Sequence, residues 1–411
     1  MALAVGGSIG TVVTEALKEH YKPQRIKEMV YKNNPLLALI PKYTKFGGEN
    51  MPMPIITTGP QRRSATFATG QANTSTSSLK QFLLTRVSDY SFASISHEAI
   101  KASQGNADAF IRYATMEIDG AIHSLKRSLA VALYRDGSGS IGQSEDNPNG
   151  VFADMTLINA DNVSNFEVGM EIGFYAPDGA GSGPGTARSA TRVISAVDRS
   201  ATLKSLTFSV APPVDVAYQD HLVQAGDLDA KISGLEAWCP ESAPGSGAFF
   251  GVDRTTDTSR LGGNRSDGSA KPIEEALIDG LSLAARNGGA PSHIFMDYTS
   301  YANLEKALGS KVQYDKLKAS DANVGFTSLK IHGPAGTVDV IPDINCQSNV
   351  AWALQLDTWS LNSLGDAPQI LDLDGNNMLR EASADAYEVR MGFYGNCATV
   401  APGWNTRIKL A

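Results

Sequence analysis

From Asn106 to Asp136, apolar residues fall at Phe110, Ala114, Ile118, Ile122, Leu125, Leu129 and Leu133. Steps of three and four line one face of an α-helix. Asp108 stands in the first turn, where the positive end of the helix dipole favours a carboxylate. Gly137 supplies a stop. A helix over this span is roughly 45 Å long at ~1.5 Å per residue, against about 11–12 residues for an ordinary helix. Gly120, near its middle, is the weak point where it can bend.

The segment before the helix reads as an arm followed by a ribbon. Residues 1–46 carry seven basic side chains (Lys18, Lys22, Arg25, Lys27, Lys32, Lys42, Lys45) against three acids (Glu15, Glu19, Glu28), a local charge of +4. Pro23, Pro35 and Pro41 divide this arm into short pieces, and Leu36, Leu37, Leu39 and Ile40 form an apolar plug that anchors it. Asn50–Thr58 reads as a strand whose Pro52 and Pro54 confine it to an edge. Lys80–Ser96 reads as a second, longer strand. The connection Gly59–Ser78 is almost wholly small or polar and holds Arg62, Arg63 and Phe67. An isolated two-stranded ribbon is marginal in water. It must lie on its own chain or on a neighbouring one.

After the helix the periodicity changes. Over 143–231, short β-like runs (Met170–Tyr175, Thr191–Val197, Leu206–Val210, His221–Val223) alternate with Gly/Pro/Ser turns, the pattern of a small all-β barrel or sandwich inserted in the chain. From 232 onward helix and strand alternate. The spacing predicts helices at Pro272–Arg286 and Tyr301–Leu308, and strands at His293–Met296, 328–332, 337–341, 349–356 and 368–373, with a closing pair at 386–394 and 397–410. Asp374-Gly375 suits a tight turn. The fold class is α+β.

The chemistry-bearing patterns fail one by one. Gly6-Gly7-Ser8-Ile9-Gly10 fits G-x-S-x-G, but too few residues precede it for the core strand a nucleophile elbow needs. Gly179–Thr186 has no lysine before its threonine, so it is no phosphate loop. Asp372–Asn376 resembles a calcium loop, with Ser383 where the closing glutamate belongs. His20, His97, His123, His221, His293 and His332 are scattered, with no metal-ligand spacing. Cys239, Cys346 and Cys397 are far apart and read as buried thiols of a reducing compartment. No cofactor is expected. With 42% hydrophobic and 19% charged residues the chain can bury a large core. Its net charge of −8 argues against wrapping nucleic acid as the main task. The first ten residues lack a basic n-region, and no run is apolar enough to span a membrane.

The order of these parts resembles the major capsid proteins of tailed bacteriophages, with the Hong Kong 97 phage-like capsid fold. KNNPLLALIPK with GGENMPMPI and FLLTRVSDYSF resembles the N-terminal arm and extended β-hairpin loop. NADAFIRYATMEIDGAIHSLKRSLAVALYRDGSG resembles the long spine helix. SGLEAW and PIEEALIDGLSLAARNGGAPSHIFMDYTSYANLEKAL resemble the path through the peripheral into the axial domain, and ADAYEVRMGFYGNCATVAPGWNTRIKL the terminal peripheral strands. The resemblance divides the chain into an arm (1–46), an extended loop (47–95), a peripheral domain with the spine helix (96–142), an inserted all-β domain (143–231), the peripheral domain continued (232–289), an axial domain (290–380) and terminal peripheral strands (381–411).

The resemblance implies a protein without enzymatic activity that self-assembles into hexamers and pentamers. These would form the icosahedral head shell, built in a bacterial host's cytoplasm and enclosing double-stranded DNA touched non-specifically on its inner face. It implies a separate scaffolding protein, because no long scaffolding segment precedes the arm, or else a chain whose N-terminus is already processed, and a portal; a decoration protein is a further candidate partner. Arg62, Arg63 and Phe67 of the loop, with Arg25 and Lys27 of the arm, are the expected contacts to neighbouring subunits. Some members join a loop lysine to a neighbour's asparagine. Here the tip has no lysine and Lys80 lies at its base, so no such bond is expected. Competing readings are an encapsulin-like compartment of the same fold, an α/β enzyme using the 290–380 region, and a minor virion component.

Overall fold

The computed structural model describes residues 34–97, 107–145, 152–179, 183–200, 204–308, 314–318, 325–372, 375, 378–381 and 384–411. Arg25, Lys27, the Gly6–Gly10 pattern and Asp374 lie outside them.

The long helix is present as Ala107–Ala132, 26 residues or about 39 Å at ~1.5 Å per residue. Ile118, Ile122, Leu125 and Leu129 are buried, as the spacing requires. It ends four residues before Asp136. Tyr134 and Arg135 donate their backbone N–H to Val131 and Ala132, tightening the last turn, and both side chains are committed to polar partners elsewhere.

The helix packs on an antiparallel sheet whose centre is one long strand, Ala386–Thr399, rather than the expected pair broken near Tyr394. Val87–Ser96 runs along its first part and Trp359–Ser363 along its last. Lys42–Tyr43 adds a parallel edge beside Trp359–Ser363. Ala93, Ile95, Val389, Met391 and Phe393 share one core with the helix. The plug helix Pro35–Leu39 buries Leu36 and Leu37 in that core.

A second, mixed sheet runs in the order Asn264–Asp267, Thr406–Lys409, Val350–Leu354, His293–Met296, Gly336–Pro342, Gly325–Gly333, Tyr314–Lys318. Its central strands are apolar throughout because both faces are covered. Phe295, Ile341, Trp352 and Leu354 point into the core shared with the long helix. Ile294, Val340, Ala351 and Ala353 point the other way, against helices Ile273–Arg286 and Tyr298–Leu308. A Cβ on Gly280 would lie 2.3 Å from Ile408 Cδ1, so glycine sets how closely that helix sits on the sheet. The terminal strands go to different sheets, and sheet membership therefore crosses the expected 290–380 and 381–411 divisions.

In sequence after the long helix, the chain makes a seven-stranded antiparallel sheet from Ser140 to Gln224. Its order runs from Ser140–Gln143 through His221–Gln224, Glu171–Pro177, Arg192–Asp198 and Ser205–Phe208 to Asp154–Thr156, with Pro184–Ala187 at the side. A bridge between Ser144 and Leu157 joins the two ends of that order, so the sheet closes into a barrel. Met155, Phe166, Ile172, Phe174, Ile194, Leu206, Phe208 and Leu222 fill it as a separate core. Among the described residues no helix is long and apolar enough to cross a membrane.

One buried polar cluster ties distant parts together. Asp343 is buried where the plug, the end of the long helix and the second sheet meet. Its carboxylate accepts from the Tyr134 hydroxyl at 2.8 Å, from the Asn345 backbone at 3.0 Å and from Asn345 Nδ2 at 2.9 Å. Asn345 Nδ2 also reaches Asn34 Oδ1 at 2.8 Å. Burial pushes the Asp343 carboxyl up, against the donors from Asn345, Tyr134 and Leu36, which favour its ionised form.

Two outcomes follow from these arrangements. Asp343→Ala strands several donors and should cost about 3 kcal/mol in urea unfolding, whereas Tyr134→Phe removes one hydroxyl and should cost about 1 kcal/mol; equal effects would count against the cluster. In the barrel, His221 Nδ1 lies 2.8 Å from Ser140 Oγ and Nε2 lies 3.2 Å from Gln143. Burial holds its pKa below 6.5 despite Asp136, Asp178 and Asp220. The unfolded chain then takes the extra proton first as pH falls. This contribution is full above pH 6.5 and is lost as pH falls through the folded value. Hydrogen exchange of the 219–225 peptide, corrected for intrinsic rate, should speed up as pH falls below 6.5 in the wild type, and His221→Gln should flatten the response.

Candidate interaction surface

The expected strand Lys80–Ser96 is two strands, Ser78–Thr85 and Val87–Ser96, broken at Arg86. Arg86 turns aside to donate to the Phe46 carbonyl at 3.0 Å and lies 5.4 Å from the centre of its ring. The chain changes partners there. Ser78–Thr85 pairs with Asn50–Thr58 to make the ribbon, and Val87–Ser96 joins the first sheet.

One face of the ribbon is seated on its own chain along both strands. Met53, Phe82 and Leu84 are buried, and Phe82 meets the edge of Trp238 at 5.1 Å. Leu83 N–H donates to the Phe250 carbonyl at 2.9 Å, and Arg260 donates to the Thr57 carbonyl at 2.6 Å. Arg254 lies 4.0 Å over the Phe249 ring and donates to the Ala237 carbonyl, bracing the seat.

Alternation along a strand sends the intervening residues to the opposite face. Register pairs Pro52 with Leu83, Pro54 with Gln81 and Ile56 with Leu79. Ile56 is 68% and Leu79 61% exposed, so the ribbon carries a bare apolar stripe. The two prolines withhold backbone donors from a strand paired on one side only, which blunts its free edge. Lys80 lies across from Ile55, two residues from the tip end of its strand.

The tip is a self-bonded polar knot around a short helix, Phe67–Ala72. Asn73 Nδ2 donates to the Gln61 carbonyl, Arg62 Nε to the Ser75 carbonyl at 3.1 Å, and the Thr66 hydroxyl to Thr69 Oγ1 at 2.7 Å. Arg62 and Arg63 are exposed, and no carboxylate among the described residues pairs with either. Phe67 is 84% exposed. Gly120 lies on the open side of the long helix, and a Cβ there would meet nothing within 4 Å. The structure thus gathers Arg62, Arg63 and Phe67 at one tip and leaves Gly120 apart from them.

Sequence reasoning missed two surfaces. The ribbon stripe was legible as Leu79, Leu83 alternating with Phe82, Leu84, a strand apolar on both faces. The second lies on the first sheet, on the side away from the helix. Tyr90 and Phe92 are half exposed with rings 6.4 Å apart, and Tyr90 meets Tyr394 edge-on at 5.7 Å. The hydrogen bond that the Tyr394 hydroxyl makes to Tyr90, with burial, raises the Tyr394 pKa to about 12. All three cysteines are buried and free, and burial pushes the Cys239 thiol up to about 12.

Residues 219–377 match the family model described as SU10 major capsid protein. That is the kind of protein the order of elements resembles. Three solved structures are similar over nearly the whole chain. The cyanophage A-1(L) capsid asymmetric unit is 11% identical, covering 91% of this chain and 92% of that one, with a TM-score of 0.46. The capsid of a native GTA particle is 9% identical, with 93% and 90% covered and a TM-score of 0.47. The capsid of Myoviridae phage XM1 is 10% identical, with 92% and 91% covered and a TM-score of 0.44. No curated protein matches the chain.

Phe82→Ala should cost about 3–5 kcal/mol in urea unfolding by opening a cavity in the ribbon seat. Phe67→Ser, at the exposed tip, should leave stability within about 0.5 kcal/mol. A Phe82 effect as small as that of Phe67 would show that the ribbon is not seated on its own chain.

Proposed function

We propose that this chain is the major capsid protein of a tailed phage, a structural protein that assembles with copies of itself into the head shell around double-stranded DNA. The observation that carries this reading is the ribbon, with one face on its own chain and a bare apolar stripe on the other, in a protein whose 219–377 region matches a capsid family. A monomer gains nothing from holding such a stripe in water. Burial against a neighbour returns about 25 cal/mol per Å² of apolar surface, repeated at every contact of a closed symmetric lattice.

In this proposal the tip extends over the adjacent subunit, where Arg62 and Arg63 meet carboxylates and Phe67 fills an apolar site. Exposed ion pairs contribute only about 0–1 kcal/mol each, so the stripe and Phe67 supply most of the attraction and the arginines set orientation. Residues 47–95 act as the extended loop and 143–231 as an inserted domain. The 290–380 region stands at the centre of hexamers and pentamers. Arg25 and Lys27 of the arm reach neighbours, and a scaffolding protein and a portal take part in assembly. Bending at Gly120 during shell expansion belongs to the same proposal, and normal expansion of a Gly120→Ala variant would remove it.

Electron microscopy of the full chain co-expressed with a scaffolding protein tests the reading. Regular shells are the expected result. A persistent monomer with hydrolytic or transferase activity would overturn it. Ile56→Thr with Leu79→Thr keeps strand-forming residues while removing the stripe. It should leave unfolding within about 0.5 kcal/mol and lower shell yield at least about tenfold, the ratio that ~1.4 kcal/mol produces.

A further inference from the structure

Among the described residues, the barrel is held to the rest of the chain by a small set of hydrogen bonds and ion pairs. Its core is separate from the other two. None of its strands makes a broad packing face with an element outside it. The chain enters at 137–140 and leaves at 224–231. These crossings lie side by side, with Val223 paired to Ser140, Asp229 N–H donating to the Ser138 carbonyl at 3.0 Å and Lys231 N–H to the Gly137 carbonyl at 3.3 Å. Gly137 (φ +95°), Gly139 (φ +84°) and Gly226 (φ +92°) adopt the left-handed conformation there, and Asp229 does so at φ +52°. A Cβ on Gly139 would lie 2.3 Å from the Asp227 carbonyl oxygen. The two crossings therefore form one narrow, glycine-rich stem.

Above the stem lies a groove of about 730 Å³. Gly120, His123, Ser124 and Arg127 of the long helix form one wall, residues 165 and 167–171 of the barrel form the other, and the stem is its floor. Among the described residues, its charged side chains are paired with one another or with close neighbours. Arg127 pairs with Glu167, and Lys231 pairs with Asp89 and Asp227, each at 2.9 Å. A ligand would find few charges free to recognise it. What spans the gap is Arg127, which holds Glu167 and donates to the Ser164 carbonyl and, at 3.3 Å, to the Phe166 carbonyl. Burial would raise the Glu167 pKa, but Arg127 and Arg199 bring it below the usual carboxylate value. Elsewhere Ser348 donates from Oγ to Asp161 Oδ2, and Arg135 to Asn162 Oδ1, each at 3.0 Å, adding polar links between the barrel and the body.

We propose that the barrel rocks as a rigid body about the 137–140 and 224–231 stem, with Arg127 as the latch that holds the groove closed. Rigid modules move by rotation at a few backbone positions free to change φ and ψ, and glycines at positive φ supply them. Releasing the latch breaks polar contacts but exposes no shared apolar core. The cost of opening is therefore electrostatic and falls with ionic strength.

Double electron–electron resonance on the full chain, diluted with unlabelled chain, measures the motion. Nitroxides go on His123→Cys of the helix and Val193→Cys of the barrel, both exposed, while the native cysteines are buried. A single short distance is expected at about 0.01 M salt, and a second, longer maximum should grow by about 1 M, where the Debye length has fallen from ~30 Å to ~3 Å. Arg127→Ala should populate the longer maximum at low salt, and Arg127→Lys should fall between it and the wild type. One unchanged narrow distance across salt would overturn the proposal, and this arm needs no latch variant to fold.

Discussion

A buried carboxylate must be matched by donors or the fold does not hold it. Asp343 meets this requirement with groups from segments that share no sequence neighbourhood: Tyr134 at the end of the long helix, Asn345 beside the second sheet and, through Asn345, Asn34 at the start of the plug. Apolar burial is non-directional and would let these parts slide. The hydrogen bonds fix where the helix stops and how the plug docks. The ribbon seat, braced nearby on Trp238 and Phe249, inherits that positioning through the shared core.

Elements whose period reflects burial on their own chain were legible in the sequence. Asn50–Thr58 and His293–Met296 have the bounds that alternation and apolar runs indicate. The long helix was legible from its stripe. It ends early because Tyr134 and Arg135 obey distant polar partners, which periodicity does not encode. The strand break at Arg86 was hidden for the same reason: the residue is compatible with a strand, and only Phe46, forty positions earlier, turns it aside. The run through Tyr394 to Thr399 is continuous because a strand lies beside it along almost its whole length.

The tip shows a different limit. Composition identified Arg62 and Arg63 as exposed charges, and they are exposed. The bare stripe of Ile56 and Leu79 was less visible, because a strand apolar on both faces looks like a buried strand when read alone. Which face is covered depends on what stands beside it. Here one face is covered by residues near Trp238 and the other by nothing among the described residues, so the sequence holds the stripe while the fold decides which face is covered.

The narrow stem of the barrel bears on how such a chain can change over time. The entropy of closing a loop depends on its length only logarithmically, and the two ends of this one already stand as hydrogen-bonded neighbours. The body of the protein therefore places little demand on what is carried between them. A module of another size, or a plain turn, meets the same end-to-end condition, which makes this position a natural graft point where content can be exchanged while the core is left alone.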